Sequence, residues 1–244
     1  MTTLLLAPDI RSVDLWVSES NRRSPLASEI QARPPIALPT VGDPTTKVLL
    51  IVLIDASPSV VGGADPIGWR YEEVWDALRH LARNWSRRAN VLACLRHFDV
   101  GTSSDVGPVR LKERSLNRLR DGLRASSEVV YGTSDLEPSL VEVRRLVEAY
   151  PDRDLHLFVL SDFALTDRDL SSVYARLRAF AEVGAVHAVV LGGSAPEALV
   201  VLDVDIDEVK WDSPHGIIAR ALCAPFRATC AVDSAPRSPW RRWA

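Results

Sequence analysis

The longest apolar run, Val48 to Ile54, stops on a single carboxylate, Asp55. A run apolar at every position fills both faces of a sheet, so Lys47 to Asp55 reads as a central strand. From there the hydrophobic period switches back and forth. Trp69 to Arg88 reads as a helix, with Val74, Leu78, Leu81 and Trp85 at steps of four, three and four. Asn90 to Phe98 reads as a strand and Val106 to Leu111 as a short edge strand. A basic helix follows, with Leu116, Leu119 and Leu123 inward and Arg114, Arg118, Arg120 and Arg124 largely outward. Asp135 to Tyr150 is amphipathic, with Leu136, Leu140, Val143, Val147 and Tyr150 on one stripe. Leu155 to Ser161 and Ala185 to Leu191 read as strands, with a helix from Asp169 to Val183 between them. Val200 to Val209 suggests a further strand and Pro214 to Ala224 a last helix. Alternation of this kind predicts an α/β fold. It would be a doubly wound, mostly parallel central sheet with helices on both faces.

Composition changes this picture mainly at the ends. Residues 1–45 hold Pro25, Pro34, Pro35, Pro39 and Pro44 among Ser, Thr and Asp, which opposes regular helix. They are read as an extension lying over the domain, with a short edge strand from Ile10 to Val17. The α/β domain is assigned to 46–228, and a basic, aromatic tail to 229–244. The tail reads either as a docking peptide or as disordered. The chain has 244 residues, a net charge of −3 and 47% apolar residues, the profile of a soluble globular protein. This balance gives no footprint for nucleic-acid binding. No apolar run approaches the roughly 20 residues of a membrane span, and Leu4 to Leu6 lack the basic flank of a secretory signal. Cys94, Cys223 and Cys230 fit no metal spacing; reduced thiols in a cytoplasmic protein are expected, with a Cys223–Cys230 pair as the alternative. Arginine greatly outnumbers lysine, which suggests a GC-rich, bacterial gene.

Candidate chemistry gathers where the strands end, because ligand sites of parallel sheets lie at the strands' carboxyl ends. Asp55, Ser57 and Ser59 put three oxygen side chains on one loop. Mg²⁺ takes oxygen ligands in near-octahedral order and tolerates few carboxylates. The loop Tyr131-Gly132-Thr133-Ser134 precedes a helix on the same edge, and another strand ends in Ser161-Asp162. In this order the residues resemble a von Willebrand factor type A domain with a metal-ion-dependent adhesion site. The resemblance spans roughly residues 46–225. It implies a metal set of Asp55, Ser57, Ser59, Thr133 and Asp162. It also implies Mg²⁺, with Mn²⁺ possible, and a protein partner that offers Asp or Glu to the ion. Ser57, Ser59 and Thr133 would ligate through hydroxyls. Asp55 and Asp162 would supply charge through waters and hydrogen bonds. Intracellular members of this family often act beside AAA-type ATPases or in stress or defence systems. The chain departs from the family pattern at Phe163 and Tyr131, where glycine is common.

Other features carry less. Asp135 reads as the cap of its helix, with Ser134 and Glu137 as a competing capping box and a metal role as a further alternative. Asp167 and Asp169 read as helix-start acids. Asp203, Asp205 and Asp207 alternate like a solvated strand face, since Glu208 and Pro214 do not match a Ca²⁺ loop. The basic helix reads as a solvated face or a surface for an acidic partner. Enzyme classes fail on residues. None of the three lysines follows a glycine as a P-loop requires, and no histidines have helical zinc spacing. A Gly-x-Ser-x-Gly elbow is missing as well. A haloacid-dehalogenase-like phosphotransferase also starts with an Asp after a buried strand, but its second acid is replaced here by Ser57. The expectation is a non-enzymatic interaction module. Phosphotransfer at Asp55 and a scaffold with a vestigial metal site stand as the alternatives.

Overall fold

Strand β1 (Val48–Ile54) is buried along its whole length, no residue being more than 1% exposed. Its alternate side chains build two separate cores. Val48, Leu50, Val52 and Ile54 face one side, and Leu49, Ile51 and Leu53 face the other. A strand apolar on both faces is stable only between two helical layers, and that is its position. The computed structural model describes residues 36–57, 60, 70–85, 89–98, 104–128 and 133–228. The readings on Ile10–Val17, Ser59, Tyr131-Gly132, Cys230 and the tail 229–244 fall outside the described residues.

The chain continues through α1 (Arg70–Asn84), β2 (Val91–His97), β3 (Val106–Arg110) and α2 (Glu113–Glu128). Next come α3 (Glu137–Ala149), β4 (Asp154–Ser161), α4 (Leu170–Val183) and β5 (Gly184–Leu191). A short α5 (Glu197–Val200), β6 (Asp205–Val209) and α6 (Ile217–Cys223) complete it. The six strands lie in the order β3-β2-β1-β4-β5-β6. All neighbours are parallel except β3, which runs antiparallel to β2 at the edge. Helices α1, α2 and α6 pack on one face through Val74, Leu78, Leu119 and Ile218. Helices α3 and α4 cover the other through Leu140, Val143, Val173 and Leu177. This is the doubly wound α/β architecture that the alternation predicts. Among the described residues no helix is long and apolar enough to cross a membrane.

Two of the element boundaries that differ from the sequence reading have a clear local cause. The strand expected from Val200 begins only at Asp205, because Pro196 starts a short helix that holds Val200. The last helix begins at Ile217 rather than Pro214. Gly216 precedes it with φ 93°, a left-handed entry that breaks the helical path. The basic helix matches its reading: Leu116, Leu119 and Leu123 are buried, and Arg114, Arg118, Arg120 and Arg124 are exposed. Cys94 and Cys223 are free thiols whose pKa burial pushes up to about 12.

The described end of the N-terminal stretch crosses the C-terminal segment. Val41 bridges Arg227, Gly42 N–H donates to Phe226 O at 3.0 Å, and Trp85 Nε1–H donates to Gly42 O at 2.7 Å. On the same face His156 and His187 stack with an interplanar angle of 3° and nitrogens 3.4 Å apart. Phe158 stacks on His187, and Asp205 Oδ2 lies 3.0 Å from His187 Nδ1. Burial is the main cause that lowers both histidines to about 4, and their mutual repulsion adds to it at His156.

Candidate metal centre

Asp55 follows the last residue of β1, at the carboxyl end of the sheet's centre. Its amide donates to Leu160 O of β4 at 2.9 Å, so the backbone is still locked into the sheet there. The side chain is fully buried. Oδ1 accepts the Ser57 amide at 2.8 Å, and the Ser57 hydroxyl also bonds to the carboxylate. Oδ2 accepts the Ser161 hydroxyl at 2.6 Å. Burial raises the Asp55 pKa above the ordinary carboxylate value; the Ser161 and Ser57 hydrogen bonds oppose that rise, and the charge of Asp162 adds to it. Among the described residues no Lys, Arg or His pairs with Asp55 or Asp162. A buried carboxylate in that setting is short of positive charge.

Asp162 leaves the end of β4 partly exposed, and its Oδ1 accepts the Ala164 amide at 3.0 Å. The next residue, Phe163, has φ 56°, the one non-glycine residue at positive φ among those described. A left-handed residue with a Cβ costs about 1–2 kcal/mol. Two contacts hold it there. Ser161 Oγ accepts the Phe163 amide at 2.8 Å, and the Phe163 ring is buried in the core on the α3–α4 face. The loop therefore keeps the backbone turn that glycine usually makes, despite the departure at this position.

Thr133 is exposed, and its Oγ1 accepts the Asp135 amide at 3.3 Å. Asp135 is not the cap of α3. The N-cap position is Leu136, which has no side chain able to cap. The capping acid is Asp167, from the loop after β4: its Oδ2 accepts Leu136 N–H at 2.9 Å and its Oδ1 accepts Glu137 N–H at 2.8 Å. Asp135 instead accepts the Thr166 hydroxyl through Oδ1 at 2.6 Å. Asp169 does cap its own helix, accepting from the amides of Ser171 and Ser172. Sequence reasoning assigned Asp167 to the nearest helix. Capping from 30 residues away leaves no local spacing signal.

Asp55, Ser57, Thr133 and Asp162 thus come from three loops on the carboxyl edge of the sheet; Ser59 lies outside the described residues. Sequence reasoning overlooked Ser161, which bonds Asp55 and supports Phe163. Its only signal was its place at the end of an apolar strand, beside an acid. Among the described residues no cluster of three or more His, Cys, Asp or Glu is suited to a metal. A centre here would be two carboxylates among hydroxyls, a donor set for a hard divalent cation rather than for zinc-type N and S ligation. The buried Asp55 charge beside Asp162, with no cationic side chain on either, fits such an ion.

No protein-family model and no curated protein matches this chain. Solved structures do match its shape. The pilus adhesin SpaC of Lactobacillus rhamnosus GG aligns with TM-score 0.58 at 12% identity, covering 78% of this chain and 32% of that one. A von Willebrand factor type A protein of Catenulispora acidiphila aligns with TM-score 0.52 at 12% identity, covering 74% and 42%. Proximal thread matrix protein 1 of the mussel byssus, solved with zinc in its metal-ion-dependent adhesion site, aligns with TM-score 0.50 at 14% identity, covering 69% and 45%. The chain spans less than half the length of each of these structures. At such identities the likeness speaks for the fold.

Proposed function

We propose that this chain, which has the von Willebrand factor type A fold, is a divalent-cation-dependent protein-interaction module. Ser57, Ser59 and Thr133 would hold the ion through their hydroxyls, and Asp55 and Asp162 would hold it through water and by charge. When bound, the ion supplies an electron-poor position that a carboxylate oxygen can occupy. Mg²⁺ is the expected ion and Mn²⁺ a competent substitute. The zinc-occupied site of the mussel protein supports the reading by fold analogy.

The observation that carries the reading is the buried Asp55, held by hydroxyls and one amide, next to Asp162 and without a cationic side chain. The chain's own residues prepare the site. Ser161 fixes the Asp55 carboxylate, Phe163 shapes the loop of Asp162, and the sheet edge leaves Thr133 open to solvent. Phosphotransfer at Asp55 is the weaker reading. Both of its oxygens already accept hydrogen bonds, and Ser57 stands where the second acid would be.

The partner would be a protein that presents Asp or Glu. A cytoplasmic bacterial setting beside an AAA-type ATPase extends the reading on the strength of the sequence resemblance. The test is retention of proteins on the immobilised full chain in Mg²⁺, in EDTA, and with Asp162→Ala in Mg²⁺. Partners retained only by the unmodified chain in Mg²⁺ support the reading. Retention unchanged in all three conditions contradicts it.

A further inference from the structure

Among the described residues, the Thr133 loop is fixed largely from outside itself. Helix α3, which follows it, has Leu136 at its N-cap and so no side-chain cap of its own. The contacts that hold this segment come from the next loop along the sheet edge. Asp167 caps the first turn through both oxygens, at 2.9 and 2.8 Å. Thr166 donates its hydroxyl to Asp135 Oδ1 at 2.6 Å and its amide to Ser134 O at 3.3 Å. Arg176 of α4 adds a bond to Glu137 Oε1 at 2.6 Å. The Asp135 amide then donates to Thr133 Oγ1 at 3.3 Å. An unbroken chain of hydrogen bonds therefore runs from the loop carrying Asp162 to the hydroxyl of Thr133.

We infer that Thr166 and Asp167 are positioning residues for the cation. They lock the Thr133 loop to the Asp162 loop, so that donors from two loops are assembled before the ion arrives. This rests on the metal reading proposed above. Mg²⁺ and Mn²⁺ favour near-octahedral oxygen sets, so ligands on separate loops must be held in register with each other. Residues that orient ligands without touching the metal typically change its affinity 10- to 100-fold.

The probe is Mn²⁺ alone, titrated calorimetrically into the full chain, with the melting temperature of every variant measured alongside. Thr166→Val and Asp167→Asn are each expected to weaken Mn²⁺ binding about tenfold, while Thr166→Ser keeps nearly full affinity. Thr133→Ala is expected to weaken binding as well. Adding Asp167→Asn to it should cost little more, because the two act through the same hydroxyl. Affinities within twofold of the unmodified chain in Thr166→Val and Asp167→Asn, whatever their melting temperatures, overturn the inference and leave the metal reading intact. So does a full additional loss in the Thr133→Ala background. An unmodified chain that takes up no Mn²⁺ removes the metal reading, and this inference with it.

Discussion

Glu73 and Asp55 are both buried carboxylates, and they are treated in opposite ways. Glu73, on α1, is 2% exposed. Its Oε1 accepts Gly216 N–H at 2.8 Å, and its Oε2 accepts Ile218 and Ala219 N–H at 2.8 and 3.3 Å. His215 Nε2 lies 3.8 Å away. These amides open α6, where the peptide dipoles point positive, so the acid closes a structural contact between two helices. Asp55 is buried as deeply but has one amide, two hydroxyls and a second acid for company. A buried acid met by a full set of amides is part of the frame. One left short of positive charge is suited to a cation, as proposed above.

The largest test of that contrast is Glu73→Ala. It leaves three amides of the α6 entry without their acceptor, so urea denaturation should show a loss of about 3–5 kcal/mol. The loss should be the same in Mg²⁺ and in EDTA. A cost below about 1 kcal/mol would remove the structural role assigned to Glu73.

Acid provides the next test, because Asp55 and the stacked histidines respond with opposite signs. The raised pKa of Asp55 means that the folded state holds its proton more tightly than the unfolded chain, so this group favours folding as pH falls. The lowered pKa values of His156 and His187 do the reverse. Their neutral forms are kept above pH 6.5, and stability is lost as pH falls from 6.5 towards about 4. One such histidine amounts to about 3 kcal/mol. The metal-free protein should therefore weaken over this window. His187→Phe, stacked on Phe158 in the same place, should relieve much of the loss. A His187→Phe variant that loses as much stability from pH 7 to 4 as the unmodified chain would contradict the burial assigned to the pair.

Ser161→Ala is expected to have the smallest effect. It removes one hydrogen bond to Asp55 and the acceptor for the Phe163 amide, a cost of about 1–2 kcal/mol. Because Ser161 orients Asp55, Mn²⁺ affinity should fall with it. A variant that loses stability but no affinity would place Ser161 with Glu73, as frame only.

Much of the layout was legible because its signals are local. The alternating periods give every strand of the sheet, and Val48–Ile54 announces its own central position. The Asp55 loop, Thr133 and Asp162 could be placed on one sheet edge because each sits at the end of an element whose type the hydrophobic pattern reveals. What escaped is long-range. Glu73 reaches amides more than 140 residues away, and Asp167 caps a helix 30 residues upstream. Spacing rules cannot see such pairs, because nothing between the partners marks them. Phe163 is a related case. Glycine is the usual sign of a left-handed turn, and here a buried ring and the Ser161 hydroxyl hold the turn instead.

On the function proposed above, the buried charge of Asp55 is compensated only when a divalent cation binds. The direct measurement is the melting temperature of the unmodified chain and of Asp55→Asn at neutral pH, each in EDTA and in excess Mg²⁺. At a hundred times its dissociation constant Mg²⁺ should stabilise the unmodified chain by about 2.7 kcal/mol, equivalent to about 5–10 °C for a protein of this size. Asp55→Asn should match or exceed the unmodified chain in EDTA, since it removes an uncompensated buried charge, and should gain nothing from Mg²⁺. Equal Mg²⁺ shifts in both proteins, or none in the unmodified chain, would contradict the proposed role of Asp55.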